Sequence, residues 1–357
     1  MNTADPLAYA VVIPTVGRPC LADCLTALAA ATGPAPAEVV VVDDRPASRR
    51  PRPPLPLEAL GELRARARTL STGGRGPAAA RNAGWHTAGA PWVVFLDDDV
   101  RVGPAWRAEL AGDLAALAPE AGGVQGVIEV PLPDGRPPTD WERNTAGLAG
   151  ARWATADMAY RRAALADAGG FDERFPRAFR EDADLALRVL AAGWRLERGT
   201  RTTRHPVRPA DRWVSLRTQA GNADDALMVR LHGRDWWHRA GAPRGRLRGH
   251  AAITAAGAAA VVLAATGHRG AGALAALGWA LGTAEFARAR IAPGPRTRPE
   301  VTTMLATSVA IPPLAVCHRL RGTWRHRGAR PLPGAFAPPD VVPVAVHAVL
   351  RQGGPVT

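Results

Sequence analysis

Two short runs constrain this chain more than anything else in it. Val39–Val42 follows Glu38 and runs straight into Asp43-Asp44, and Trp92–Leu96 runs equally unbroken into Asp97-Asp98-Asp99. A strand with one wet face alternates apolar and polar residues. An uninterrupted apolar run this short instead suits a strand buried on both faces, as in parallel sheets covered by helices. Tyr9–Ile13 is a third such segment, ending at Pro14. Leu21–Ala31 and Pro77–Ala88 lie between these runs and have helical composition, with Pro77 near a favoured first-turn position. Residues 46–56 are rich in Pro and Arg and read as a loop. Strand, helix, strand, helix predicts an α/β fold with a doubly wound sheet. Ligands of such sheets bind beyond the carboxyl ends of the strands, where the aspartates stand.

Further along, Gly123–Val130 predicts another strand, and the polar, proline-rich residues 131–150 a loop over the site. Glu181–Gly193 is a helix by the spacing of Ala183, Leu187, Leu190, Ala191 and Trp194, with Gly193 as its stop. Trp213, Leu216, Ala220, Ala223, Leu227 and Leu231 predict a second amphipathic helix. The four regions expected are a catalytic domain at 1–210, a helical segment at 211–248 packing on it, an Ala-rich helical region at 249–330 and a Pro-rich tail at 331–357.

Charge divides the chain at the same place. Residues 1–210 hold 26 Arg and 25 acids, and residues 211–357 hold 19 Arg and 7 acids. All 45 basic residues are arginine, and only four serines occur. Without lysine there is no P-loop, no Schiff-base or pyridoxal chemistry and no kinase strand lysine. No serine sits in G-x-S-x-G, and neither H-E-x-x-H nor C-x-x-C is present. Cys20, Cys24 and Cys317 form no disulfide framework and fit a reducing compartment. No secretory signal is visible at the N-terminus, and a cytoplasmic location is expected. Ala251–Gly267 is a run of seventeen uncharged residues, and Gly270–Ala284 is a second uncharged run. Both fall short of the ~20 residues of a spanning helix. Arg244, Arg246 and Arg248 precede the pair, and Arg288 and Arg290 follow it, so a hairpin would keep both flanks on the cytoplasmic side of a membrane. A soluble hairpin packed on the catalytic domain is the other reading. Thr302–Cys317 is a third uncharged run, interrupted by Pro312-Pro313.

Three clusters carry chemistry. Adjacent carboxylates at Asp97-Asp98-Asp99 repel one another unless a cation or hydrogen bonds compensate, and Mg²⁺ or Mn²⁺ would do so while also taking phosphate oxygens. Glu181 and Asp182 open a helix. They either complement its dipole or offer a general base to an acceptor hydroxyl. Gly73-Gly74-Arg75-Gly76-Pro77 leads into a helix, where such a turn can seat a phosphate and Arg81 can pair with one. His205 follows a predicted strand, and imidazole suits Mn²⁺ alongside carboxylate.

Together, VVIPTVGRP (11–19), VVVVDDRP (39–46), GRGPAAARNAG (74–84), WVVFLDDDV (92–100), MAYRRAALADAGGFDERF (158–175) and REDADLALRVLAAGW (180–194) resemble the family 2 inverting glycosyltransferases. The resemblance covers about residues 8–206 and implies the GT-A fold: a Rossmann-like mixed sheet with helices on both faces, here with an α-helical C-terminal appendage. It implies a nucleotide-diphosphate sugar donor, a hydroxyl acceptor and Mg²⁺ or Mn²⁺. On the donor side, Pro14 and Thr15 would line the nucleotide, and Asp44, with Asp43, would bond the base. Gly76 and Arg81 would lie along the diphosphate, with Asp97 and Asp98 beside the donor. Asp99 would ligate the metal, with His205 a further ligand. Asp182 would be the catalytic base, with Glu181 the fallback, in a single displacement with inversion.

The Gln-x-x-Arg-Trp motif of processive members is absent after the base, and Gln219 begins no such motif, so transfer of single sugars is expected. Asp44-Arg45-Pro46 replaces the usual Asp-Gly-Ser. Asp157, Asn222, Asp224 and Asp225 are polar enough to contact an acceptor. A lipid-linked or cell-envelope glycan would suit a chain lying at the inner-membrane surface, and no specific nucleic acid is expected. The competing readings are a basic, non-enzymatic nucleic-acid- or envelope-binding protein and a catalytically silent nucleotide-sugar binder.

Overall fold

The computed structural model describes residues 5–48 and 52–332. The Pro-rich tail expected over 331–357 lies almost wholly outside them. The first part runs β1 (Tyr9–Thr15), α1 (Cys20–Ala30), β2 (Glu38–Asp43), a 3₁₀ stretch (Leu57–Arg66), β3 (Ala67–Ser71), α2 (Pro77–Thr87) and β4 (Trp92–Leu96). It continues with β5 (Arg101–Val102), α3 (Trp106–Ala115), β6 (Ala121–Glu129), α4 (Asp140–Ala146), β7 (Asp157–Arg161), α5 (Arg162–Asp167), α6 (Glu181–Ala191) and β8 (Arg195–Arg204). The strands form one mixed sheet in the order β3-β2-β1-β4-β7-β6-β8-β5. β1 pairs in parallel with both β2 and β4, and β7 runs antiparallel to β4 and β6.

Burial of both faces explains the unbroken valine runs. Val11, Ile13, Val39, Val41, Val94 and Leu96 enter one core with Leu21, Leu25 and Leu28 of α1 and Trp106 and Leu110 of α3. Their neighbours Ala10, Val12, Val40, Val42, Val93 and Phe95 enter the opposite core with α2, α5 and α6. Side chains that alternate across a strand feed two helical layers, so no position of the run can be polar.

The appendage follows as α7 (Val214–Arg217), α8 (Gly221–His232), α9 (Trp236–Arg239), α10 (Leu247–Ala265), α11 (Arg269–Ile291) and α12 (Arg298–Arg325). Leu227 and Met228 of α8 and Trp236 of α9 share a core with Phe175 and with Ala183 and Leu187 of α6, joining the appendage to the sheet domain. α10 and α11 form an antiparallel hairpin, and Ile253, Phe286 and Ile311 tie its base to α12.

Three local expectations need correction. Residues 131–150 are not all loop: α4 forms within them on a capping box in which Thr139 and Glu142 satisfy each other's backbone N–H groups. The amphipathic stretch from Trp213 is not one uniform helix but α7, a 3₁₀ turn at Thr218–Ala220, and α8. Pro312 and Pro313 do not end a helix, because α12 runs through both. An interior proline costs about 3 kcal/mol. Tertiary packing offsets this, with Ile311, Pro312 and Ala315 buried and Gly322 set directly against Ala223 of α8.

Gly84 of α2 faces the sheet, and a Cβ there would stand 2.3 Å from Val12 Cγ1. Gly84→Ala is therefore expected to destabilise the fold by about 1–3 kcal/mol through overpacking. The check is a lower urea midpoint at unchanged denaturant slope.

Candidate active site

The parallel strands β1, β2 and β4 deliver Thr15, Asp43-Asp44 and Asp97-Asp98-Asp99 to one end of the sheet. The three adjacent aspartates there do different jobs. Asp98 is 2% exposed; it accepts hydrogen bonds from Thr15 Oγ1 at 2.6 Å and Arg18 Nη1 at 2.9 Å. It fastens the loop leaving β1. Asp97 accepts from Arg81 Nη2 at 2.8 Å. Asp99 accepts from Arg208 Nε at 2.8 Å, and His205 Nε2 stands 3.5 Å away. Burial raises the Asp99 carboxyl above its ordinary value, with Asp97 adding to the rise and His205 and Arg208 opposing it.

Asp97, Asp99 and His205 each present one donor atom, and these atoms lie within 4.8 Å of one another. Two carboxylate oxygens and an imidazole nitrogen suit Mn²⁺ or Mg²⁺ with positions left for phosphate oxygens. His205 Nε2 is the ring nitrogen that faces Asp99, so it is the atom placed to join the carboxylates around an ion. The residues fit such an ion, provided that Arg208 releases Asp99.

Arg81 links this cluster to α6. Its guanidinium, 2% exposed, donates from Nη2 to Asp97 and from Nη1 to Glu181 Oε1 at 2.7 Å. The structure sets this arginine, expected along a diphosphate, between two carboxylates. Glu181 is buried, and its Oε2 has no partner in the structure. Burial raises its carboxyl above the ordinary value, with Asp182 adding to the rise and Arg81 opposing it. Asp182 is half-buried, with Oδ1 accepting from Ala183 N at 2.7 Å, and burial raises its carboxyl too.

The residues expected on the donor side bond within their own loops. Asp44 gathers Thr72 Oγ1, Gly74 N, Arg75 N and Gly76 N at 2.6–3.1 Å. That is how the glycine turn, with positive φ at Gly73, Gly74 and Gly76, holds its shape. Asp43 is gripped by Arg45 through Nε and Nη2, which lowers its carboxyl. The Thr15 carbonyl accepts from Asp44 N at 2.7 Å, and Pro14 is buried within β1.

Sequence reasoning missed several positions. Arg18 and Arg208 neutralise the aspartates, and Asn82 bonds Phe171 N, Phe171 O and Glu173, attaching the loop after α5 to α2. The only sequence signal for Asn82 is its place directly after Arg81. Three of the four suggested acceptor residues are committed to ion pairs. Asp157 is wholly buried against Arg201, Trp106 and Thr203; Asp224 pairs with Arg177; Asp225 pairs with Arg180. Asn222 bonds Gln219.

Removing Arg81 would leave Asp97 and Glu181 uncompensated. Arg81→Ala is expected to lower stability by about 3–5 kcal/mol, the range for breaking a buried ion pair. Denaturant unfolding at pH 7 checks this.

Residues 10–166 match the family model described as glycosyl transferase family 2. Among solved structures, the chain is similar to the mannosyltransferase PcManGT from Pyrobaculum calidifontis, determined in complex with GDP-Man and Mn²⁺. The TM-score is 0.52 at 20% identity, covering 90% of this chain and 89% of that one. It also aligns with residues 1–349 of S. aureus TarS in complex with UDP, at TM-score 0.44 and 14% identity, covering 90% and 91%. At these identities the likeness to PcManGT is one of fold. No curated protein sequence matches the chain.

Proposed function

Starting from a chain whose residues 10–166 are a glycosyl transferase family 2 domain, we propose that it is an inverting, metal-dependent hexosyltransferase moving single sugars from a nucleotide-diphosphate donor to a hydroxyl acceptor. The observation that carries this reading is the Asp97–Arg81–Glu181 bridge, which ties the candidate metal ligand Asp97 to the residue directly before the candidate base Asp182. The PcManGT complex with GDP-Man and Mn²⁺ supports a nucleotide sugar and a divalent ion.

Asp97, Asp99 and His205 would hold the ion, whose chemistry is to neutralise charge on the departing diphosphate. Asp182 takes the proton of the acceptor hydroxyl. That oxygen attacks the anomeric carbon, the bond to the diphosphate breaks on the opposite face, and configuration inverts. Glu181 is held by Arg81, which leaves Asp182 as the base. Its raised carboxyl makes proton acceptance more favourable than for an ordinary aspartate.

The appendage supports an acceptor at a membrane. α10 and α12 are long and apolar enough to cross one, and α10 has few buried residues. Val261, Val262, Leu274, Leu277 and Leu281 point outward from the hairpin with nothing covering them, and Arg244, Arg246, Arg248 and Arg288 are exposed near its base. We read it as dipping into an anionic bilayer on the cytoplasmic side, giving access to a lipid-linked or envelope glycan. Arg290 takes no part in this. It is buried and bonds Thr307, Ser308 and Asp140, anchoring the hairpin to α12 and α4.

Calorimetric titration with a panel of nucleoside diphosphates and Mn²⁺ is expected to give metal-dependent binding of one of them, lost in Asp99→Ala. No binding by folded protein overturns the reading. Asp182→Asn is expected to cut turnover by about 10²–10⁴-fold while leaving nucleotide binding intact. Binding without turnover in the wild type would instead mark a silent nucleotide-sugar binder.

A base must be ionised, and burial raises Asp182, so the rate is expected to fall with decreasing pH at a point above the ordinary aspartate value of about 3.9. The pH profile of kcat/KM measures it. For the hairpin, the wild type is expected to float with phosphatidylglycerol vesicles and not with phosphatidylcholine alone, and Leu274→Glu/Leu277→Glu to stay in the aqueous fraction.

A further inference from the structure

The residue before the Glu181-Asp182 pair has the wrong backbone for its type. Arg180 has φ 78° and ψ −15°, the left-handed region. Among the described residues only Trp153, Arg180 and Arg296 combine a positive φ with a side chain. A Cβ in that region crowds the following carbonyl, so the conformation persists only where surroundings hold it. It also sets how α6 begins. The Arg180 carbonyl accepts the first helical hydrogen bond, from Asp184 N at 2.8 Å, and no side chain caps the end.

The hold comes from the appendage. Arg180 Nε donates to Asp225 Oδ1 of α8 at 2.8 Å. Its guanidinium lies over the Phe179 ring at 4.2 Å and over the Trp236 ring of α9 at 4.7 Å. Two further contacts pin the same stretch. Arg177 pairs with Asp224 of α8, and Asp184 accepts from His232 Nε2 of α8 at 2.7 Å. α8 itself is backed by α12, where a Cβ on Gly322 would come within 2.5 Å of Ala223 Cα. The turn before the candidate base is thus clamped by residues 224–236, outside the stretch matched by the family model.

We propose that Asp225 is a positioning residue. By holding Arg180 in the left-handed conformation it fixes the first turn of α6, and so the direction of the Asp182 carboxylate. If Arg180 relaxes to the right-handed or extended region, the 180–181 peptide rotates and carries Asp182 with it. This rests on the reading of Asp182 as the base. It makes the appendage part of the catalytic machinery, and it gives Asp225 a role other than acceptor contact.

The test is a double-mutant cycle. Glycine takes the left-handed conformation without help, so Arg180→Gly should make residue 225 irrelevant. Asp225→Ala in the full-length protein is expected to speed amide hydrogen exchange across 178–184 at least tenfold. It should lower kcat at least tenfold at unchanged donor KM and unchanged Mn²⁺-dependent nucleoside diphosphate affinity. In the Arg180→Gly background the same substitution should change exchange and kcat less than twofold. Exchange in Asp225→Ala within twofold of wild type overturns the clamp, as does an equal effect of Asp225→Ala in both backgrounds. Faster exchange with unchanged kcat overturns the positioning role. Full turnover by Asp182→Asn overturns the base assignment instead, and the exchange cycle still decides the clamp.

Discussion

The site depends on one buried guanidinium. Arg81 reaches Asp97 at the end of β4 with one nitrogen and Glu181 at the start of α6 with another, and it is almost wholly removed from water. Five carboxylates converge there: Asp97, Asp98, Asp99, Glu181 and Asp182. Without a cation among them the sheet end and the helix end would repel. A planar fork with fixed donor directions can serve two carboxylates at once, which a single ammonium does less well. Such a bridge adds little net stability, because desolvation offsets the attraction. Its contribution here is registry, since it fixes the distance between the end of β4 and the start of α6.

The same device recurs away from the site. Arg201, fully buried, pairs with Asp113 of α3 and Asp157 of β7 and so locks α3 to the sheet. Arg290 joins α11 to α4 and α12. In a chain without lysine, arginine serves both as surface charge and as internal connector. The excess that the sequence shows as charge is therefore partly architecture. The appendage is likewise not a separate attachment: α8 supplies Asp224, Asp225 and His232 to the segment around Glu181 and Asp182.

Much of the first domain was legible. β4 falls at Trp92–Leu96 as predicted, and β1 and β2 extend only one or two residues past their predicted ends. Runs buried on both faces admit no other periodicity, and the alternation of strand and helix signals limits the topology. The misses have physical causes. The capping box of α4 is a four-residue signal inside a proline-rich stretch that reads as loop. α12 survives two prolines because packing against α8 and the hairpin outweighs the lost hydrogen bonds. Arg180 in a left-handed conformation violates the local rule for its residue type, and its side chain is held by Asp225 and Trp236, more than forty residues away in sequence.

By itself, then, the sequence determined the fold class, the end of the sheet where the aspartates gather and the residue types present there, because hydrophobic periodicity and strand-end aspartates are local properties. Only the tertiary structure decided which partners reach each residue. It gave Asp98 to a loop, Asp44 to the glycine turn and Asp157 to a buried ion pair, and it left Asp97, Asp99 and His205 as a candidate ion site beside Asp182. The reason is that an aspartate's role is set by the charges and donors that reach it, and most of those arrive from distant parts of the chain.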